Sequence, residues 1–249
     1  MELGPKLAEG KTKIIYAHAS DPTLAVMVQK DSISAGDGAR RNTIAGKGAL
    51  SGRTAANVFT LLNRSGLATH YLDSPEPTMM VVRRCQMLPL EVVIRRAATG
   101  SYLKRHPETA EGARFDPPLV EFFLKDDARH DPQISEAEIA AQGIATAAEV
   151  ERMIGEGHRV FTTIERAWAA QDVTLIDLKI EFGRDPNGIL VVADMIDNDS
   201  WRLWPGGEKG RMLDKQVYRN MREVTDEGLA QVRKLYETVA GMTDAWRTQ

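Results

Sequence analysis

The sequence predicts an α+β fold, and three observations carry that prediction. Residues Thr174 to Phe182 alternate apolar and polar, a turn-like stretch covers Gly183 to Gly188, and Ile189 to Asp194 form a second strand-like run. That pattern reads as an antiparallel hairpin. Runs of similar character recur through the first 95 residues. Helical stripes separate and follow them, the last from about Thr225 with Leu229, Val232, Leu235, Tyr236, Val239 and Met242 on one face.

Composition sets the outer limits. A chain of 249 residues, 43% hydrophobic and 27% charged, suits one large globular domain or two modest ones. A net charge of −3 gives no global electrostatic case for nucleic acid, so anionic ligands must be met by local clusters. The single cysteine, Cys85, excludes an intrachain disulfide and a cysteine-based metal site. No apolar run reaches membrane-spanning length, and Met1 to Lys6 lack the apolar core of a signal peptide. The expectation is a cytoplasmic protein with neither membrane nor nucleic-acid partners; a homo-oligomer is compatible with it.

Taken in order, Gly10-Lys11-Thr12 resembles the end of a phosphate-binding loop, but the required first glycine falls on Pro5. The stretch reads instead as a turn into a strand carrying Lys11 and Lys13 on one face. Two such lysines beside a glycine suit phosphates, although taken alone a solvated strand is the better reading. Leu24 to Val28 read as a strand, and Asp31 to Arg40 as a loop of small and hydroxyl residues. A helix is expected over about 42–65, stopped by Gly66. Strands follow at 68–72, 79–83 and 90–95, with Cys85 to Leu90 as a hinge; Pro89 withholds one N–H there.

Arg95 and Arg96 are carried into the turn Thr99-Gly100-Ser101 and a helix start, which suits a phosphate and suits a basic surface turn about equally. Pro117-Pro118 is expected to break the chain. Ser135-x-x-Glu138 and Thr146-x-x-Glu149 are capping boxes for a short helix and for a longer one to about Ala170, the latter weakened by Gly155 and Gly157.

The chemistry concentrates in residues 174–219. Strand alternation puts Asp177, Lys179 and Glu181 on one face, and the hairpin brings Glu181 and Asp194 to the same end. Asp194, Asp197 and Asp199 then precede Arg202, and Lys215 and Arg219 follow. Hard oxygen ligands for Mg2+ beside cations for phosphate suit phosphoryl transfer. Singly, each carboxylate reads better as a solvated strand or turn residue; it is the cluster as a whole that points to chemistry.

Seven segments in order resemble one family, the SAICAR synthetases: Glu9–Lys13, Ser34–Arg40, Glu91–Ser101, Phe123–Asp127, Asp177–Gly183, Ala193–Trp204 and Asp214–Arg219. Their wording is similar to the animal-type branch, without its fused carboxylase domain. The resemblance implies an N-terminal antiparallel sheet domain, 1–87, over a larger α+β domain, 88–249, with an ATP-grasp or kinase-like cleft between them. It implies ligation of an aminoimidazole ribonucleotide carboxylate (CAIR) to L-aspartate, with ATP and Mg2+. By resemblance Gly10, Lys11, Lys13, Gln86, Met87 and Lys179 would bind ATP, and Glu181 and Asp194 would hold Mg2+. Lys179, Glu181 and Asp194 would form the catalytic set. Arg95, Ser101, Arg202 and Arg219, supported by Asp199 and Lys215, would bind the nucleotide substrate. Asp37, Arg40, Lys125 and Asp131 would face the two carboxylate substrates.

Three rivals stay open at this point. A related amide ligase would use another amine or azole carboxylate. A small-molecule kinase would stop at phosphoryl transfer. A non-catalytic nucleotide-binding protein would be expected to lack some of Glu181, Asp194, Lys179, Lys11 and Lys13.

Overall fold

The computed structural model describes residues 1–36 and 38–248. Strands β1 (Leu3–Glu9), β2 (Lys13–His18) and β3 (Leu24–Gln29) run as successive antiparallel neighbours. A small hairpin, β4 (Ser32–Ala35) and β5 (Arg40–Thr43), leads into helix α1 (Lys47–Arg64). Strands β6 (Tyr71–Glu76) and β7 (Met79–Arg83) complete a five-stranded antiparallel sheet in the order β1-β2-β3-β7-β6.

The second sheet uses β8 (Gln86–Met87), β9 (Leu90–Ala97), β10 (Arg114–Leu124), β11 (Gln133–Ile134), β12 (Val173–Arg184), β13 (Leu190–Ala193) and β14 (Trp201–Pro205). Its main path is β11-β10-β9-β12-β13, and β8 and β14 also pair with β12. Among the described residues, the α-helices after α1 are α2 (Ser101–Arg105), α3 (Glu136–Ala141), α4 (Ala147–Ala169), α5 (Gln216–Asn220) and α6 (Asp226–Thr243). Residues 68–70 stitch the sheets together: Thr69 bridges Val192 in parallel, and the N–H of His70 donates to Val192 O at 2.9 Å.

Both expected capping boxes form. Ser135 and Thr146 each accept from the backbone N–H three residues on, and Glu138 and Glu149 reach back. Such caps stabilise a helix by about 1 kcal/mol each. Helix α4 is continuous through both glycines. A Cβ on Gly157 would lie 3.5 Å from Ile94, so that glycine marks the close approach of the helix to β9. The buried stripe Val150, Met153, Val160, Phe161, Ile164 and Trp168 packs in the main core with Val92 and Ile94 of β9 and Leu178 and Ile180 of β12. The stripe read for the last helix is the buried or half-buried face of α6. Among the described residues, no helix is long and apolar enough to cross a membrane.

Several boundaries differ from the sequence expectations. Residues 31–40 are not one loop, because they hold β4 and the start of β5. The first helix begins at Lys47 rather than 42. Asn42 is still in β5, and the Asp31 carboxylate fixes the turn by accepting from the N–H groups of Gly46 at 3.0 Å and Gly48 at 2.8 Å. The strand expected at 68–72 starts at Tyr71, since 68–70 pair with β13. The prolines do not end a strand. Pro117 and Pro118 sit in β10 where its ladder with β9 is interrupted between Arg114 and Leu119, so a missing N–H is tolerated.

Candidate active site

Strand β12 organises the site. It pairs Asp177 with Arg95 and Lys179 with Val93 on β9, and Glu181 with Ala193 on β13. Opposite β14 it advances two residues, Leu175 to Asp177, while β14 advances one, Leu203 to Arg202. Ile176 is therefore the extra residue of a β-bulge. The bulge explains why the positions packed in the main core switch from odd to even, from Val173 and Leu175 to Leu178, Ile180 and Phe182. It leaves Asp177, Lys179 and Glu181 together on the wall of a cavity of about 790 Å3. The turn Gly10–Lys13 of the first sheet lines the same cavity.

At one end, carboxylates and lysines interleave. Lys179 Nζ lies 2.7 Å from Glu181 Oε1, 3.4 Å from Glu91 Oε1 and 4.0 Å from Asp194 Oδ2. Lys125 Nζ lies 2.6 Å from Glu181 Oε2, and Lys13 pairs with Asp194. Burial pulls the Lys179 pKa down, but Glu181, Glu91 and Asp194 outweigh it and hold it well above the ordinary lysine value. Burial pushes Asp194 up, yet Lys13, Lys179 and Lys125 keep it well below the usual carboxylate range. Asp194 also takes a φ of +66°, a backbone state that asparagine and aspartate tolerate best and that often marks functional positions.

Glu181 and Asp194 thus converge on one ammonium with hard oxygen donors. Among the described residues, no group of three or more His, Cys, Asp or Glu side chains could hold a metal ion. Two carboxylates are what Mg2+ commonly takes from a protein when phosphates and water supply the rest of its octahedron, so this donor set fits Mg2+ bound with a nucleotide.

A second cluster surrounds Arg95, whose side chain is buried. Its guanidinium spans Glu121 at 2.6 Å and Asp177 at 2.9 Å and reaches Ser101 Oγ at 3.3 Å. Arg202 pairs with the same Asp177, and Arg105 with the same Glu121. Gly100, at φ +56°, gives Arg202 room: a Cβ there would lie 2.9 Å from the Arg202 Cζ. Arg96 points the other way, to Glu165 of α4 at 2.6 Å, as strand alternation requires.

A third cluster sits where α1 and α6 meet the loop before β14. Asp199 accepts from Lys215 Nζ at 2.7 Å and from the Tyr236 hydroxyl. Burial raises the pKa of Asp199, but Lys47 and Lys215 outweigh it and hold the group well below the usual range. Asp197 is raised, first by burial and then by Asp199.

The cavity brings together Gly10, Lys11, Lys13, Arg95, Ser101, Lys125, Asp131, Lys179, Glu181, Asp194, Asp199, Arg202, Lys215 and Arg219. It does not take in Gln86 and Met87. These form β8 and pair with Arg184 and Gly183 at the far end of β12, largely exposed. Nor does Arg40 line it; its guanidinium donates to Tyr218 O at 3.0 Å and lies over the Tyr218 ring. Asp37 lies outside the described residues. Sequence reasoning passed over Glu91, Lys47 and Ser51, which line the cavity, and Glu121, which anchors Arg95 from outside it. Lys47 and Ser51 carry a weak signal, a lysine and a serine at i and i+4 of an otherwise small-residue helix start.

Comparison with known proteins adds to this geometry. The family model for SAICAR synthetase matches residues 6–235. Phosphoribosylaminoimidazole-succinocarboxamide synthase of Roseiflexus castenholzii is 73% identical over 246 residues, 99% of each chain. The crystal structure of the synthase of that name from Ehrlichia chaffeensis superposes with a TM-score of 0.87 at 30% identity, over 97% of this chain and 99% of that one. A SAICAR synthetase in complex with ADP superposes with a TM-score of 0.82 at 32% identity, over 93% of this chain and 97% of that one. With cavity, fold and sequence in agreement over nearly its whole length, the chain belongs to the SAICAR synthetase family.

Proposed function

We propose that this protein is the ATP-dependent amide ligase of purine biosynthesis that joins CAIR to L-aspartate, giving SAICAR, ADP and phosphate. The observation that carries the reading is the single cavity in which a lysine–carboxylate cluster (Lys13, Lys125, Lys179 around Glu181 and Asp194) faces an arginine–hydroxyl cluster (Arg95, Ser101, Arg202). One end suits nucleoside triphosphate, and the other suits a second phosphorylated ligand.

The chemistry explains why both are needed. A carboxylate does not acylate an amine in water, because its leaving group would be oxide. Attack of the CAIR carboxylate oxygen on the γ-phosphorus forms an acyl phosphate and releases ADP. Attack of the aspartate amine on the carbonyl carbon then forms the amide and releases phosphate. No side-chain nucleophile is required. In this reading Lys11, Lys13 and Gly10 border the triphosphate, and Lys179 and Lys125 stabilise charge on the transferring group. Glu181 and Asp194 would hold Mg2+, which when bound supplies charge neutralisation between phosphate oxygens. Arg95 and Arg202, braced by Asp177, orient the substrate 5′-phosphate with Ser101 and Arg219. Holding three anionic reactants in one pocket removes much of the entropic barrier to their meeting.

The test is product formation with Mg-ATP, CAIR and L-aspartate, each omitted in turn, followed by ADP release and mass detection. The expected result is SAICAR only when all three are present. ADP release with CAIR that is indifferent to aspartate would replace the ligase reading with a kinase.

A further inference from the structure

We infer that Glu121 is a positioning residue: from outside the cavity it aligns the Arg95 guanidinium with the Ser101 hydroxyl, two of the groups read above as ligands of the CAIR 5′-phosphate. The inference rests on the ligase reading and adds a residue that does not border the cavity.

Strand β9 lends the cavity Glu91, Val93 and Arg95. Its neighbour β10 sets Glu121 opposite Val93 and Leu119 opposite Arg95. Opposed residues of an antiparallel ladder share a face, so Glu121 lies diagonally from Arg95 on the cavity side of the sheet. It stands one strand back from the cavity, and its side chain is 4% exposed. A carboxylate so deep has to be matched by hydrogen-bonded cations.

Two guanidiniums meet it. Arg95 Nε donates to Oε2 at 2.6 Å, and Arg105 Nη2 donates to Oε1. Gln133 Nε2 adds a longer bond to Oε1 at 3.3 Å. Arg105 then turns back: its Nη1 donates to the Ser101 carbonyl at 3.2 Å, and its guanidinium lies 5.1 Å from the centre of the Phe123 ring. The Ser101 hydroxyl accepts from Arg95 Nη2 at 3.3 Å. Arg95, Glu121, Arg105 and Ser101 thus close a ring of hydrogen bonds, and Glu121 is the member that holds both cations.

The ring matters because α2 is weakly held. It is five residues long, buries none of them and has no side-chain cap. A single turn of that kind is not stable on its own. The place of Ser101 therefore depends on ties such as that from Arg105 to Glu121. Arg95 has five N–H donors; Glu121, Asp177 and Ser101 take three, which leaves two for an incoming anion.

Charge alone argues in the opposite direction. Arg95, Arg105 and Arg202 against Glu121 and Asp177 leave one positive charge over. Glutamine at 121 would raise that excess and, by attraction alone, tighten phosphate binding. Positioning demands weaker binding, so the sign of the change separates the two.

Steady-state kinetics on Glu121→Gln, with CAIR as substrate and its 5′-dephosphorylated nucleoside as competitive inhibitor, test the assignment. The KM for CAIR should rise at least tenfold, with kcat within threefold and the KM for ATP within twofold. The Ki of the nucleoside should stay within twofold of wild type, because the nucleoside makes no use of the phosphate ligands. A CAIR KM that is unchanged or lower overturns the assignment. So does a nucleoside Ki that rises in step with the CAIR KM, the mark of a general distortion. If Glu121→Gln fails to fold, Arg105→Met carries the test, its side chain being 28% exposed. It should raise the CAIR KM at least fivefold with the nucleoside Ki held, and an unchanged CAIR KM overturns the ring. Wild-type enzyme that makes no SAICAR from Mg-ATP, CAIR and L-aspartate overturns the ligase reading itself, which separates the two failures.

Discussion

Replacing His70 by phenylalanine should flatten the acid side of the stability profile. His70 is 3% exposed, neither ring nitrogen has a hydrogen-bond partner among the described residues, and the ring meets Phe59 edge-on at 5.0 Å. Burial, opposed in part by Asp194 and aided by Lys13 and Arg83, lowers its pKa from 6.5 to about 3. Between those values the unfolded chain binds one proton more than the folded one, so stability falls as pH falls. The full contribution is present above pH 6.5 and is lost progressively down to about pH 3. At about 1.4 kcal/mol per pH unit, the loss between pH 7 and pH 5 is about 2 kcal/mol. Urea unfolding at several pH values in this range measures it, taken as the difference between wild type and His70→Phe so that other histidines cancel. Equal pH slopes for the two proteins would show that His70 is protonated in the folded state and would refute the argument.

Three other substitutions probe the site and its scaffold. Gly100→Ala places a methyl group against the Arg202 guanidinium at a φ of +56°; the KM for CAIR should rise at least tenfold, that for ATP should hold, and urea unfolding should register a loss of about 1–3 kcal/mol. Asp194→Asn should abolish turnover with the circular dichroism spectrum unchanged, because a neutral amide would bind Mg2+ poorly at the proposed site; near-normal turnover would remove Asp194 from that proposal. Gly155→Ala, where a Cβ meets nothing within 4 Å on an exposed face of α4, should stabilise the protein by about 0.5–1 kcal/mol in urea unfolding.

The hairpin carrying Glu181 and Asp194 was legible because strand alternation is a strong local signal, and α4 announced itself by its capping box and α6 by its apolar stripe. What resisted reading depended on distant partners. Strand β1 shows little burial along most of its length, so no alternation reveals it. Lys47 looks like any helical lysine until α6 places the Tyr236 ring 4.9 Å from its ammonium and the loop before β14 places Asp199 3.9 Å from it. Gln86 and Met87 pair with Arg184 and Gly183 at the end of β12, a contact between distant parts of the chain that local sequence does not announce. Arg95 and Arg96 look equivalent in sequence, and only the pleat of β9 sends one to the site and the other to Glu165.

The extra residue at Ile176 gives β12 something like a reading frame. Upstream of it the odd-numbered Leu175 faces the core, and downstream the even-numbered Leu178, Ile180 and Phe182 do. Deleting one residue there would restore an unbroken alternation and leave the strand two ways to settle. Either the leucine end keeps its place and Asp177, Lys179 and Glu181 slide one pairing position along β9, or the charged end keeps its place and Leu175 turns outward. In the first case every charge survives in composition while losing its counterpart across the sheet. Loops in this chain can absorb a change of length, but along these few residues spelling and spacing are inseparable.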